Sequence, residues 1–284
     1  MVTLPASVVR RYPRFSLYNS PYPEHDAGCA VDFYPETPDD DAPSPVAGEV
    51  VETRTVRCPP KPYAADYDHL VVVDTGTHYA RVLHVDPSVD AGDEVAVGDS
   101  LGTMVRSGFF APWVDNHVHL GFRERDANPV RASGSLSLSL DVPVEPVTWD
   151  GTGEVVETGE TYVVLDAPDH PSSGIFAALA TDDGLPLDGG LVHYSGGGVL
   201  GAGADAGDSV SLLGTPVGDV CDDRRTVAWR DVAVSANGTR CTGLSLFASR
   251  DSLGTKVVCP DHDFAVGDAL RVRLDPTENP VHLG

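Results

Sequence analysis

The sequence predicts a mainly β protein built from two domains, and three observations carry that expectation. Glycine at 29 and proline at 23 of 284 residues, spread along the whole chain, leave little room for long helices. Short runs rich in Val, Leu, Tyr or Phe recur between Gly, Pro, Asp and Asn, which is how strands and their turns are written. The length exceeds that of most single domains, and 41% hydrophobic residues are enough to fill a core in each of two.

In chain order the strand-like runs are 48–53, 70–74, 79–85, 117–123, 135–141, 162–166, 226–234, 244–248 and 269–274. Ser135-Leu-Ser-Leu-Ser-Leu140 alternates polar and apolar with period two, as a strand with one wet face does. Asn237-Gly238, between two such runs, reads as a type I′ hairpin turn. A phrase Ala/Val-Gly-Asp-x-apolar starts at 91, 97, 206, 217 and 266. Its irregular spacing marks a repeated way of entering a strand from a tight turn, not a structural repeat. Val142-Pro-Val-Glu-Pro-Val147 follows the alternating run, and its two prolines are expected to stop sheet pairing. The expected boundary therefore separates a domain over 1–142 from a second, small β-barrel or sandwich over 143–284.

Charge excludes some functions. Asp plus Glu number 43 against 19 Lys plus Arg, a formal net charge of -24, and Asp far outnumbers Glu. Only two of the basic residues are lysines, Lys61 and Lys256. This bias resembles proteins of halophilic archaea, in which such a surface stays soluble where molar salt shortens the Debye length to about 3 Å. It argues against nucleic acid and anionic membranes as partners. No run approaches the roughly 18 apolar residues of a membrane span. The first 21 residues hold Arg10, Arg11 and Arg14 but no apolar export segment, so the expected location is the cytoplasm. The cysteines, at 29, 58, 221, 241 and 259, contain no Cys-x-x-Cys pair and read as small buried residues of a reducing compartment.

The chemistry-bearing residues lie before the boundary. In a strand, residues two apart share a face, so His117-Val118-His119 projects two imidazoles side by side. Glu24-His25-Asp26-Ala27-Gly28-Cys29-Ala30-Val31-Asp32 supplies an imidazole and carboxylates ahead of a strand. Then follow Ser44-Pro45-Val46-Ala47-Gly48-Glu49-Val50-Val51, Tyr79-Ala80-Arg81-Val82-Leu83-His84 and the Gly-Asp hairpin over 89–102. In this order the segments over about 20–125 resemble the LytM/lysostaphin-type zinc metallopeptidases, the M23 family. They are most similar to an archaeal branch whose last segment ends Asp-x-His-x-His, here Asp115-Asn116-His117-Val118-His119. The resemblance implies an antiparallel β-sheet or sandwich fold for the first domain and a zinc site held by Asp32 and His119, with His25 as third ligand. It also implies His84 and His117 as the unligated pair that orients water and stabilises the transition state, and hydrolysis of a peptide or amide bond. A catalytic zinc keeps three protein ligands and one open position, where bound water falls to a pKa near 7.

One departure bears on the third ligand. The family separates its first His from the Asp by three residues, whereas six separate His25 from Asp32, and Gly28 stands at the expected position. Asp26 and Cys29 are the alternative donors. A non-catalytic binding protein on a degenerate M23-like scaffold is the alternative function. The family's known cell-wall substrates lie outside the cytoplasm, so the expected substrate is a different peptide.

Three patterns do not extend this reading. Gly98-Asp-Ser-Leu-Gly102 matches Gly-x-Ser-x-Gly, but a strand-like run follows it, so Ser100 is expected in a turn. Gly196-Gly-Gly-Val-Leu-Gly201 has no helical pattern after it and reads as a flexible loop. The hairpin over 89–102 carries no lysine for a biotinyl or lipoyl group. His69, His78, His170, His193, His262 and His282 are expected as ordinary surface or core histidines.

Overall fold

The computed structural model describes residues 1–131, 133–201 and 206–283, with the side chain of Asp26 outside the description. The chain is mainly β, 47% strand and 4% helix, with a curled half-barrel sheet. No helix among the described residues is long and apolar enough to cross a membrane. The chain divides into two compact units, Met1–Phe15 with Cys29–Val142, and Ser16–Gly28 with Pro143–Gly284. The short segment Ser16–Gly28 thus packs with the second unit although it interrupts the first in sequence.

In the first unit the strands Ala30–Tyr34, Val118–Glu124, His78–Leu83, Tyr67–Asp74, Gly48–Arg57 and Glu94–Val95 lie side by side in that order, every neighbour antiparallel. Val31, Phe33, Val50, Val71, Val72, Val73, Ala80, Val82 and Leu120 are wholly buried between them. Such β-branched and aromatic runs suit a pleated, covered surface. A smaller sheet orders Asp41–Pro43, Ser100–Met104 and Val85–Pro87. Ser100 therefore opens a strand, and the strand continues where a hydrolase elbow would need a helix. The alternating run over 135–141 is shorter than its pattern promises. Only Leu138–Leu140 is strand, and it pairs in parallel with Val2–Leu4.

The Gly-Asp phrase has a common geometry at three of its sites. Gly92, Gly98 and Gly267 have φ of 101°, 95° and 95°, where a side chain would be strained. The carboxylates of the next residues, Asp93, Asp99 and Asp268, each accept a hydrogen bond at 2.8 Å from the backbone N–H three residues back, of Asp90, Ala96 and Ala265. The turn closes with the aspartate's own N–H donating back to the carbonyl of that same residue.

The second unit carries a sheet ordered Ser209–Leu212, Thr215–Val220, Thr226–Trp229, Gly196–Val199, Leu187–Leu191, Gly243–Leu246, Lys256–Val258, Tyr162–Leu165, Thr152–Thr158, Ala269–Pro276, Val232–Ala236 and Thr239–Cys241. Three expectations change here. The prolines after Val142 do not end pairing, because Val144–Val147 lies parallel to Phe176–Leu179 with Pro146 opposite Ala178. Val144–Val147 ends its row of strands, and an edge tolerates a residue without an N–H. The run 226–234 is two strands, Thr226–Trp229 and Val232–Ala236. The stretch 196–201 is no flexible loop but a strand, Gly196–Val199, whose Cβ positions are taken: a Cβ on Gly197 would sit 2.0 Å from the Trp229 ring, and one on Gly198 would sit 2.3 Å from the Tyr18 ring. Asn237 and Gly238 have φ of 48° and 87° between paired strands, as a type I′ turn requires.

Asp188 is wholly buried in this unit. Its carboxylate accepts from Ser16 Oγ at 2.6 Å, the Leu17 N–H at 2.6 Å and the Tyr18 N–H at 3.2 Å, which fixes the start of Ser16–Gly28.

Candidate metal centre

Strand register builds the centre. Val118–Glu124 pairs with Ala30–Tyr34 so that His119 stands directly opposite Asp32. Opposed residues of an antiparallel pair project to the same face with Cβ atoms about 5 Å apart. The side chains meet there, His119 Nδ1 lying 2.9 Å from Asp32 Oδ1. The strand begins at Val118, one residue later than expected. His117 still reaches the same carboxylate oxygen, its Nε2 lying 3.5 Å from Asp32 Oδ1. Asp32 and His117 are both buried, at 3% exposure each, while the His119 side chain keeps 15%.

His117 is held from the other side. Its Nδ1 lies 2.9 Å from the Asp115 carbonyl oxygen, which only accepts, so Nδ1 carries a proton and donates to it. Burial pushes the His117 pKa down to about 4, outweighing the upward pull of Asp32 and joined by repulsion from His84. The ring stacks on Phe110 at 4.3 Å between centroids and tilts against Tyr34 at 5.2 Å. Arg14 lies over the Tyr34 ring at 4.0 Å and bonds the Asp115 carboxylate at 2.6 Å, closing the rim.

His84 arrives from the neighbouring strand, just after His78–Leu83 ends. It is a non-glycine residue at φ of 70°, a sparsely populated conformation, held by its N–H to the His69 carbonyl at 3.2 Å and its carbonyl to the Val105 N–H at 2.8 Å. Its ring meets His117 edge-on at 5.0 Å and His119 at 5.6 Å. Its Nδ1 lies 2.5 Å from Asp68 Oδ2. Asp68 also accepts from Ser107 Oγ at 2.7 Å and from the His69 N–H at 2.6 Å. Burial alone would raise the Asp68 pKa, but the His84 imidazole and these hydrogen bonds hold it at about 2.

Four of the five residues singled out from the sequence, Asp32, His84, His117 and His119, therefore stand together on one face of the first unit. His25 lies in the short helix Pro23–Asp26, within the segment that packs with the second unit. It is 1% exposed, and its Nδ1 donates to the Leu17 carbonyl at 2.8 Å. The helix is followed by Gly28 at φ of 61°, a left-handed conformation that suits glycine. The side chain of Asp26 lies outside the described residues, and Cys29 is half-buried.

Asp68 and Ser107 escaped the sequence reading. The signal that could have found Asp68 is hairpin register: pairing Leu70 with Leu83 brings position 68 alongside 84 and 85. The histidines expected to be ordinary behave variously: His262 Nε2 lies 3.0 Å from the Gly159 carbonyl, and His193 is wholly buried beside Tyr194.

One buried carboxylate facing imidazole nitrogens suits zinc and other transition metals, whereas magnesium and calcium sites are built of oxygens.

Residues 3–140 match a family model described as the N-terminal domain of Domain of unknown function (DUF8155), and residues 145–275 match the model of its C-terminal domain. No curated protein matches the chain. Neither family description states an activity, so the likeness to M23 peptidases rests on the motifs alone.

Proposed function

We propose that the chain is an M23-like, zinc-dependent hydrolase of a peptide or amide bond. The observation that supports this reading is a buried carboxylate, Asp32, met by His119 and His117 across a strand pair, with His84 closing on both imidazoles. Asp32 and His119 would hold the metal, with His25 as the third ligand that the M23 resemblance implies. Bound zinc supplies an acidified water and a Lewis acid for the scissile carbonyl. The chain's own residues do the remaining work. His84, fixed at its backbone and at Nδ1, presents Nε2 to take a proton. His117, kept neutral by burial with its proton at Nδ1, offers Nε2 as a second acceptor that orients the attacking water beside the carboxylate. The aromatic walls of Phe110 and Tyr34 restrict water around these imidazoles.

The substrate is peptide-like. The net charge of -24 disfavours nucleic acid and anionic membranes. Metal analysis tests the proposal. Wild type is expected to bind about one zinc per chain, as a three-ligand site does. Asp32→Ala and His119→Ala are expected to lose it, and His117→Ala to retain it without hydrolysis. A wild-type chain that takes up no zinc overturns the hydrolase and leaves a binding protein on this scaffold. Loss of zinc in His117→Ala instead makes that residue a ligand.

A further inference from the structure

We infer that Asp68, braced by Ser107, is a positioning residue that fixes His84 in the tautomer with Nδ1 protonated and Nε2 open towards the His117 and His119 face. The functional meaning of this inference rests on the proposed role of His84 as proton acceptor. The tautomer itself does not.

Three groups converge on one carboxylate, and their chemistry leaves little freedom. The His69 backbone N–H, which can only donate, points at Oδ1 from 2.6 Å. Ser107 Oγ and His84 Nδ1 share Oδ2, at 2.7 and 2.5 Å. An ionised carboxylate accepts only, so the imidazole nitrogen facing it must carry the proton. Asp68 and Ser107 are 1% and 0% exposed, so water does not compete for these bonds. Burial of a carboxylate is costly without such partners, and His84 at 7% exposure supplies one of the hydrogen-bond donors that satisfy it. The imidazole is meanwhile pinned at its backbone in a conformation that side chains seldom adopt, so ring position and ring protonation are fixed by separate contacts. Sequence distance hides the arrangement: 16 residues part Asp68 from His84, and 39 part it from Ser107.

Asp68→Asn gives a sharp test, because the amide must orient. Its oxygen is required at the His69 N–H, which places the amide NH2 against His84 Nδ1 and Ser107 Oγ, both able to accept. The full chain, labelled with 15N-histidine, is read at neutral pH by long-range proton–nitrogen correlation, with the His84 signals assigned by their loss in His84→Gln. In wild type Nδ1 is expected at the protonated position and Nε2 at the unprotonated one. In Asp68→Asn the two are expected to exchange positions while zinc uptake stays at the wild-type level. A wild-type His84 protonated at Nε2, or a tautomer unmoved in a folded Asp68→Asn, overturns the inference. If that variant does not fold, the wild-type spectrum decides alone. A chain that binds no zinc yet shows the Nδ1–H tautomer sinks the hydrolase and keeps the Asp68 assignment; zinc binding with an Nε2–H tautomer does the reverse.

Discussion

Asp188 should make the second unit less stable as pH rises towards neutrality, and the size of the effect follows from its surroundings. Burial pushes its carboxyl up from 3.8 to about 7, against the downward pull of the Ser16, Leu17 and Tyr18 hydrogen bonds and of His25. Unfolding returns the group to its ordinary range, so the native state holds the proton more tightly than the unfolded one. The stability from this group is therefore whole below about pH 4 and is lost as pH rises through about 7. The full shift is worth about 4 kcal/mol, of which about 3 kcal/mol falls between pH 5 and 8. That is a large part of the roughly 5–15 kcal/mol by which a domain is stable. Asp188→Asn mimics the neutral acid: its oxygen can accept from Leu17 and Tyr18, and its amide can donate to Ser16 Oγ. Urea unfolding of both proteins at fixed salt, followed through Trp149 and Trp229 fluorescence, cancels the titration of all other acids in the difference. The variant is expected to gain about 3 kcal/mol on wild type between pH 5 and pH 8. A difference that stays constant across that window would show that Asp188 does not change charge there.

Two further perturbations have defined outcomes. Gly48 opens a strand at φ of 150°, and a Cβ there would lie 2.1 Å from the Asp74 carbonyl oxygen. Gly48→Ala is thus expected to destabilise the first unit by about 2 kcal/mol or more, read as a lowered urea midpoint; an unchanged midpoint would contradict the packing of that strand pair. Dilution from molar salt to about 0.1 M, which lengthens the Debye length to about 10 Å, is expected to lower the thermal midpoint of a chain with net charge -24. A midpoint indifferent to salt would mean that the acids are already compensated.

Much of the first unit was legible because its signals are local. His-x-His shows its common face by period two alone, and Val71, Val72 and Val73 announce a covered strand by composition. Asp68 was not legible, since its meaning lies in the register of two strands and no short window contains both partners. Nor could the sequence say that Ser16–Gly28 packs with residues beyond 142, because its anchor, Asp188, is about 170 residues away. In the second unit the strands Leu187–Leu191 and Gly196–Val199 hide behind their glycines. Glycine weakens a strand pattern, yet the rings of Tyr194, Trp229 and Tyr18 occupy the space where side chains would stand. The prolines after Val142 misled for a related reason: they forbid a central strand, and the chain uses them at an edge.

The aspartate turns bear on why this acidic chain prefers the shorter acid. Asp93, Asp99 and Asp268 each reach back to a main-chain amide three positions earlier, and Asp74, Asp150 and Asp223 cap amides two positions ahead. One extra methylene would carry a glutamate's oxygens past those amides. Part of the negative charge is thus architectural mortar. Drift from Asp to Glu at these corners would leave the electrostatic tally untouched while loosening the masonry.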